Sequence, residues 1–268
     1  VYLRHGALEL LATAYVPDGP GPFPAVVDIH GGAWTVSSRL QCETIHRVFA
    51  ENGIVVFALD CRLPPDGVYP EPVADINFGI RFFKANAARF KTRADLVGAL
   101  GTSSGGHQLM LNILRPDDPR YARLPLAGHP GVDARVAFAM IGWPVVDPVA
   151  RYRMVTERKN QRLIDAHHAY WPTIDAMEEG SPQHQLERGD HVAGLPPLLI
   201  VQGTNDDNLT PDMADRFAHA YGAVAEVTIE KFADEPHTFV TKTPDSDAAR
   251  RARDLMVRFV HAHAGAVR

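Results

Sequence analysis

Leu96-Val97-Gly98-Ala99-Leu100-Gly101-Thr102-Ser103-Ser104-Gly105-Gly106 is the stretch on which the reading of this chain turns. Leu96 to Leu100 has the apolar, bounded character of a buried strand, and a helix is expected from about Ser104 to Leu114. Between them lie only Gly101, Thr102 and Ser103, so the chain must reverse in a very tight strand-to-helix turn. A serine at the apex of such a turn has its hydroxyl raised above the sheet, with glycines where side chains would strike neighbouring backbone. The helix that follows aims its unpaired N–H groups and the positive end of its dipole at the same place. A glycine- and serine-rich turn with no chemistry fits the six residues equally well in isolation; the strand before and the helix after favour a nucleophile at Ser103.

Working outward, the same alternation continues on both sides. Leu8 to Val16 reads as an early strand closed by the Pro17-to-Pro22 turn cluster, Ala25 to Ile29 as a strand buried on both faces, and 42–52 as a helix stopped by Gly53. Ile54 to Leu59 is a second buried strand. Val73, Ile76, Ile80, Phe83, Ala87 and Phe90 then recur at the three- and four-residue steps of one helix face. Downstream, Val136 to Ile141, Leu198 to Val201 and Val224 to Phe232 read as strands, 211–221 as a helix, and Ala252, Leu255, Met256, Phe259 and Val260 mark a last helix. Strands alternating with helices predict an α/β fold, a mostly parallel central sheet with helices on both faces, in a single domain over 1–268. The stretch 145–194 breaks the rhythm. It is rich in His, Arg and aromatic residues and is expected to be a small cap-like insertion over the active site.

Ligands of parallel sheets bind beyond the carboxyl ends of the strands, so the other strand ends matter. His30-Gly31-Gly32-Ala33-Trp34 follows one strand, and a glycine pair there lets backbone donors approach a developing oxyanion. Gly203-Thr204-Asn205-Asp206-Asp207 follows the strand ending at Val201, and Glu235-Pro236-His237 follows the one ending at Phe232. An acid after one strand and a histidine after the next is the chain order that a serine nucleophile requires on such a sheet. Of thirteen histidines, only His237 falls in a strand-end loop downstream of the acid. His107 and His129 read as surface or helix residues. A metal site from His167 and His168 is disfavoured, because adjacent residues point apart on a helix.

These motifs resemble the α/β-hydrolase superfamily and, within it, the hormone-sensitive-lipase-like and feruloyl-esterase-like carboxylesterase branch, to which arylformamidases are related. The resemblance runs nearly end to end, through His30 to Trp34, Arg62-Leu63-Pro64-Pro65, the helix from Val73, the turn at Ser103, Gly203 to Asp206 and Pro236-His237. The run Asp206-Asp207-Asn208 is also similar to the acid loop of prolyl-oligopeptidase-type peptidases. The resemblance implies a triad of Ser103, Asp206 and His237, and an oxyanion hole built from Gly32, Ala33 and Ser104. Two positions depart from the pattern. Ala33 stands where a third glycine is common, and Ser104 where a small alanine is usual, placing an extra hydroxyl near the oxyanion.

Composition excludes other classes. A formal net charge of −5, from 27 basic and 32 acidic residues, comes with scattered charges and no basic stripe for nucleic acid. The longest apolar runs, Pro24 to Ile29 and Leu195 to Val201, fall far short of the ~20 residues that span a bilayer. Cys42 and Cys61 read as reduced thiols in or near the core. The chain begins at Val1, and with no signal peptide visible a cytoplasmic location is expected. No cofactor and no metal is implied. Carboxylic ester hydrolysis of a small-molecule substrate is the leading expectation, with an amide or formamide as the alternative substrate of the same triad. An aminopeptidase ranks lower, since there is no room for a propeller-sized extra domain. A ligand receptor should have lost a triad member, and a lyase or acyltransferase remains open on such a fold. Trp34, Trp143, Tyr170 and Trp171 are expected to form a pocket for an apolar or aryl group. Oligomeric state is not legible.

Overall fold

Side chains along a strand point alternately to opposite faces, and here both faces are covered. In the computed structural model, which describes residues 1–265, a hairpin of β1 (Leu3–His5) and β2 (Leu8–Leu10) precedes β3 (Ala12–Tyr15), β4 (Ala25–Ile29), α1 (Glu43–Glu51), β5 (Val55–Leu59), α2 (Glu71–Ala85), β6 (Val97–Thr102), α3 (Ser104–Leu114) and β7 (Ala139–Gly142). Four helices follow: α4 (Pro148–Glu157), α5 (Gln161–Tyr170), α6 (Ile174–Glu179) and α7 (Pro182–Arg188). The chain then continues through β8 (Leu198–Gly203), α8 (Met213–Gly222), β9 (Val227–Phe232), α9 (Phe239–Lys242) and α10 (Asp247–His263). Strands β3 to β9 make one sheet in the order β3-β5-β4-β6-β7-β8-β9. Only β3 runs antiparallel to its neighbour; the other pairings are parallel.

The alternation sorts the strand residues into two cores. Val27, Ile29, Phe57, Leu59, Ala99, Ile141 and Ile200 pack with Ile76 and Phe83 of α2, Leu111 of α3 and Phe217 of α8. Their neighbours Val26, Val56, Ala58, Leu100, Met140, Leu199 and Val201 pack with Ile45 and Phe49 of α1 and Met256 and Val260 of α10. A strand that must serve both layers is apolar at successive positions, which is why these segments read as unbroken runs rather than alternating ones. Both cysteines are buried and free. Among the described residues, no helix is long and apolar enough to cross a membrane.

Several boundaries differ from the sequence reading. Leu8 to Val16 is two strands, because the chain leaves its β1 partner at Leu11 and pairs Ala12 to Tyr15 with β5 instead. The apolar stripe that began at Val73 outlasts its helix: α2 ends at Ala85, and Phe90 arrives on a short 3-10 turn (Ala87–Phe90) to pack against Phe57 and Phe83. Strand β9 starts three residues late because Val224 and Ala225 both donate their N–H to the Tyr221 carbonyl, closing α8. The stretch 145–194 holds four short helices, each begun by a side chain that caps it: Asp147, Asn160, Thr173 and Ser181 accept from Ala150, Leu163, Ala176 and His184 N–H groups.

Candidate active site

The turn between β6 and α3 is tight enough to hold Ser103 at φ 52, ψ −119, outside the regions a side chain normally adopts. Its position is over-determined: the Ser103 N–H donates to Gly142 O (2.9 Å), and its carbonyl accepts from Val145 (3.1 Å) and His107 (3.3 Å). Helix α3 starts directly against β4, where a Cβ on Gly105 would lie 2.2 Å from Ile29 O and 2.4 Å from His30 O. Only glycine permits that approach, and the approach sets the serine beside the loop after β4.

Ser103 Oγ lies 3.0 Å from His237 Nε2, and His237 Nδ1 lies 2.7 Å from Asp206 Oδ2. Since the carboxylate only accepts, Nδ1 carries the proton and Nε2 is left to accept from the serine hydroxyl. Asp206 is itself pinned: Oδ2 also accepts from Gln202 Nε2 (3.0 Å) and Oδ1 from the Asn208 N–H (2.9 Å). Asp207 is exposed, and its backbone carbonyl accepts from Arg158. It does not cap α8, which begins at Met213. The histidine loop abuts the acid loop through Asn205 N–H to Glu235 O (3.0 Å), so the two strand ends are fixed relative to each other.

The loop after β4 turns through three successive positive φ angles, Gly32 at 104°, Ala33 at 52° and Trp34 at 66°. Gly32 is obligatory, since a Cβ there would sit 1.9 Å from Val36 O. Ala33 and Trp34 pay about 1–2 kcal/mol each for the left-handed region, and Trp34 shows what holds them there. It is buried at 1% exposure, stacked on Tyr170 at 5.2 Å, with its Nε1–H donating to His107 Nδ1 (3.1 Å) and its backbone N–H donating to Ser104 Oγ (3.1 Å). The extra hydroxyl of Ser104 therefore ties the turn to the glycine loop. Among the described residues, the N–H groups of Gly32, Ala33 and Ser104 find no hydrogen-bond partner. Burial holds His107 down at about 3, so it is neutral. Its Nε2–H donates to Gly180 O (2.8 Å), which ties α3 to the end of α6.

None of the four aromatic residues expected to form the substrate pocket lines the cleft above Ser103; Trp171 borders a separate cavity with Tyr152, His167 and Met177. Trp34, Tyr170 and Trp171 pack on one another and on His107, and Trp143 is buried edge-on beneath His237 and Phe239. Large flat rings gain most by full burial, and Tyr170 and Trp171 bring the segment 145–194 against Trp34 and against His107 of α3. The cleft above Ser103, about 530 Å³ and open to solvent, is lined instead by Gly32, Ala33, Ser103 and His237 together with polar and cationic side chains: Gln41, Arg151, Arg162, Asn208 and Lys242. The sequence reading missed these. Arg151 and Arg162 lie in the insertion whose arginine content was noted, but nothing in the spacing says which arginine turns inward. Arg151, buried at 2% exposure, has its guanidinium pulled down to about 9 by burial, with Arg162 adding to the effect.

Comparison with known proteins gives the family and the fold. The chain matches the BD-FAE family model over residues 14–221. It is 27% identical over 231 residues to the probable carboxylic ester hydrolase LipM of Mycobacterium tuberculosis, covering 82% of this chain and 50% of that protein. It is 26% identical over 241 residues to the isoprenylcysteine alpha-carbonyl methylesterase ICME of Arabidopsis thaliana, covering 84% and 52%. The chain thus spans about half the length of these curated relatives. Among solved structures it is similar to Thermogutta terrifontis esterase 2 phosphonylated by sarin, with a TM-score of 0.80 at 23% identity over 97% of this chain and 92% of that one. The propionate-bound form of the same esterase gives 0.78.

Proposed function

We propose that this chain, which belongs to the BD-FAE family and has the α/β-hydrolase fold, hydrolyses small carboxylic esters through an acyl-enzyme on Ser103. The observation that carries the reading is the unbroken relay from Ser103 Oγ through His237 to Asp206, at 3.0 and 2.7 Å. Ser103 Oγ attacks the acyl carbon as His237 Nε2 takes its proton. The oxyanion forms against the N–H groups of Gly32, Ala33 and Ser104, each such donor being worth about 3 kcal/mol in a site of this kind. Collapse expels the alkoxide, which leaves with the proton from His237. Water then attacks the acyl group by the same route, and Ser103 regains its proton. Asp206 holds the imidazole tautomer and stabilises the imidazolium. The rings that suggested an aryl group do not line the cleft, so the aryl preference draws no support from it.

Turnover of 4-nitrophenyl acetate and butyrate, compared with the matching anilides, tests the reading alongside labelling by a fluorophosphonate. Expected are ester turnover, a mass adduct on Ser103, and a fall in kcat of roughly 10⁴–10⁶ in Ser103→Ala. Near-normal turnover by a folded Ser103→Ala sample overturns the mechanism. An anilide cut as fast as its ester replaces the ester assignment with the amide one.

A further inference from the structure

Arg151 is a buried cation that has no salt-bridge partner among the described residues. It projects from α4 into the cleft that holds Ser103 and His237, and among the described residues its Nε and Nη1 are buried with no hydrogen-bond partner. Placing a guanidinium out of water costs several kcal/mol unless an anion or acceptors meet it. The structure supplies only part of that compensation: the guanidinium carbon lies 5.1 Å from the centre of the Trp34 ring. The carboxylate that bears on it electrostatically is Asp206, whose oxygens are already taken by His237, Gln202 and the Asn208 N–H. Two further cations, Arg162 and Lys242, line the same cleft, and no acidic side chain does. In a chain whose net charge is −5, this is a local reversal of sign at the reacting serine.

We infer that the cleft selects an ester carrying a carboxylate in addition to the bond that is cleaved, with the Arg151 guanidinium receiving that carboxylate and Arg162 and Lys242 drawing it in. The planar fork of a guanidinium matches a carboxylate with two parallel N–H···O bonds, which an ammonium does not. The anion completes a site that is otherwise short of acceptors, so the free energy of burying Arg151 is recovered only when a charged substrate is bound. Trp34 connects this to the chemistry, because the ring beside Arg151 belongs to the residue that follows Ala33 in the oxyanion loop. This inference deepens the esterase reading and rests on it for the reaction, though not for the binding.

Two pairs of esters matched in shape separate the charge from everything else: 4-acetoxybenzoate against its methyl ester, and mono-4-nitrophenyl adipate against methyl 4-nitrophenyl adipate. The first carries the carboxylate on the alcohol side and the second on the acyl side. Expected in the wild type is a kcat/KM about 10- to 100-fold higher for the anionic member of at least one pair, the range that a hydrogen-bonded charge pair supplies. In Arg151→Met that ratio collapses toward one, whatever happens to the absolute rates; in Arg162→Met and Lys242→Met it falls by a few-fold and becomes salt-sensitive. Equal or better turnover of the neutral members, or an unchanged ratio in Arg151→Met, overturns the inference. Binding is read separately by titrating Ser103→Ala with the same four compounds. Tighter binding of the anionic members, lost in the Ser103→Ala/Arg151→Met double variant, supports the carboxylate site even if no ester is turned over; equal binding of both members of each pair sinks it.

Discussion

Asp206 and Asp207 carry the same carboxylate and are separated by one peptide unit, yet only one can reach the imidazole. Adjacent side chains in a loop diverge, and here Asp206 turns inward to His237 while Asp207 faces solvent. Asp206→Asn keeps the shape but favours the wrong imidazole tautomer, so kcat on an activated ester should fall by roughly 10⁴, whereas Asp207→Asn should stay within a few-fold of wild type. A crippled Asp207→Asn with a near-normal Asp206→Asn would reverse the assignment. Ser104 makes a second test at this scale. Its hydroxyl accepts from the buried Trp34 N–H, and Ser104→Ala leaves that donor unsatisfied at a cost of about 1–3 kcal/mol, measurable as a lower urea midpoint with an unchanged slope. A midpoint within error of wild type would mean the bond contributes nothing. The meeting of Ser103, His237 and Asp206 was legible in the sequence because each sits just past a strand end, and the strands announce where those ends are. Arg151 was illegible for the opposite reason: it sits within a helix, and which face of α4 turns toward the cleft depends on packing that no local pattern records.

At the scale of elements, the helices α4 to α7 were the least readable part and the aromatics within them the most misleading. Each helix is short and lacks a long apolar stripe, so periodicity fails; what defines them is the set of capping residues Asp147, Asn160, Thr173 and Ser181. These caps were present in the sequence as a signal, but Ser, Thr, Asn and Asp also mark turns, and without a stripe behind them they read as loop. Tyr170 shows where the segment's stability lies. It has no exposed surface, stacks on Trp34, and its hydroxyl accepts from Gln108 Nε2 at 3.1 Å. Tyr170→Ala should cost about 3–5 kcal/mol in unfolding free energy, and because the ring does not line the cleft it should leave the preference among acetyl, butyryl and longer acyl groups unchanged. A large selectivity change with little loss of stability would place the ring in the pocket after all. The two-layer core, by contrast, was legible throughout, since a strand buried on both faces has to be apolar at every step.

Across the whole molecule, the four-helix segment joins the main core through Val149, Tyr170, Trp171, Met177 and Leu186, and a charged knot ties its α6 end to the end of α3. Glu179, at the end of α6, accepts from Arg115 at the end of α3, from Arg120 (2.8 and 2.9 Å) and from the Tyr69 hydroxyl (2.5 Å), and Arg115 also reaches Asp190 beyond α7 (3.0 Å). Burial pushes the Glu179 carboxyl up, but the hydrogen bonds from Arg120, Tyr69 and Arg115 outweigh it and hold the group at about 2, below the ordinary 4.5. The folded state therefore binds the proton less readily than the unfolded chain, so Glu179 contributes stability that is complete above about 4.5 and is lost as the pH falls toward 2. Comparing wild type with Glu179→Gln removes the contribution of all other carboxylates, which titrate alike in both. The melting temperature of Glu179→Gln should lie below wild type at pH 7 and keep that deficit down to about pH 5. The gap should then narrow steadily and close near pH 2, as protonation turns the wild-type group into a neutral donor-acceptor much like the glutamine. A gap that stays constant from pH 7 to pH 2 would show that the carboxylate's charge does not hold this segment, and a gap that widens on acidification would reverse the sign of the linkage.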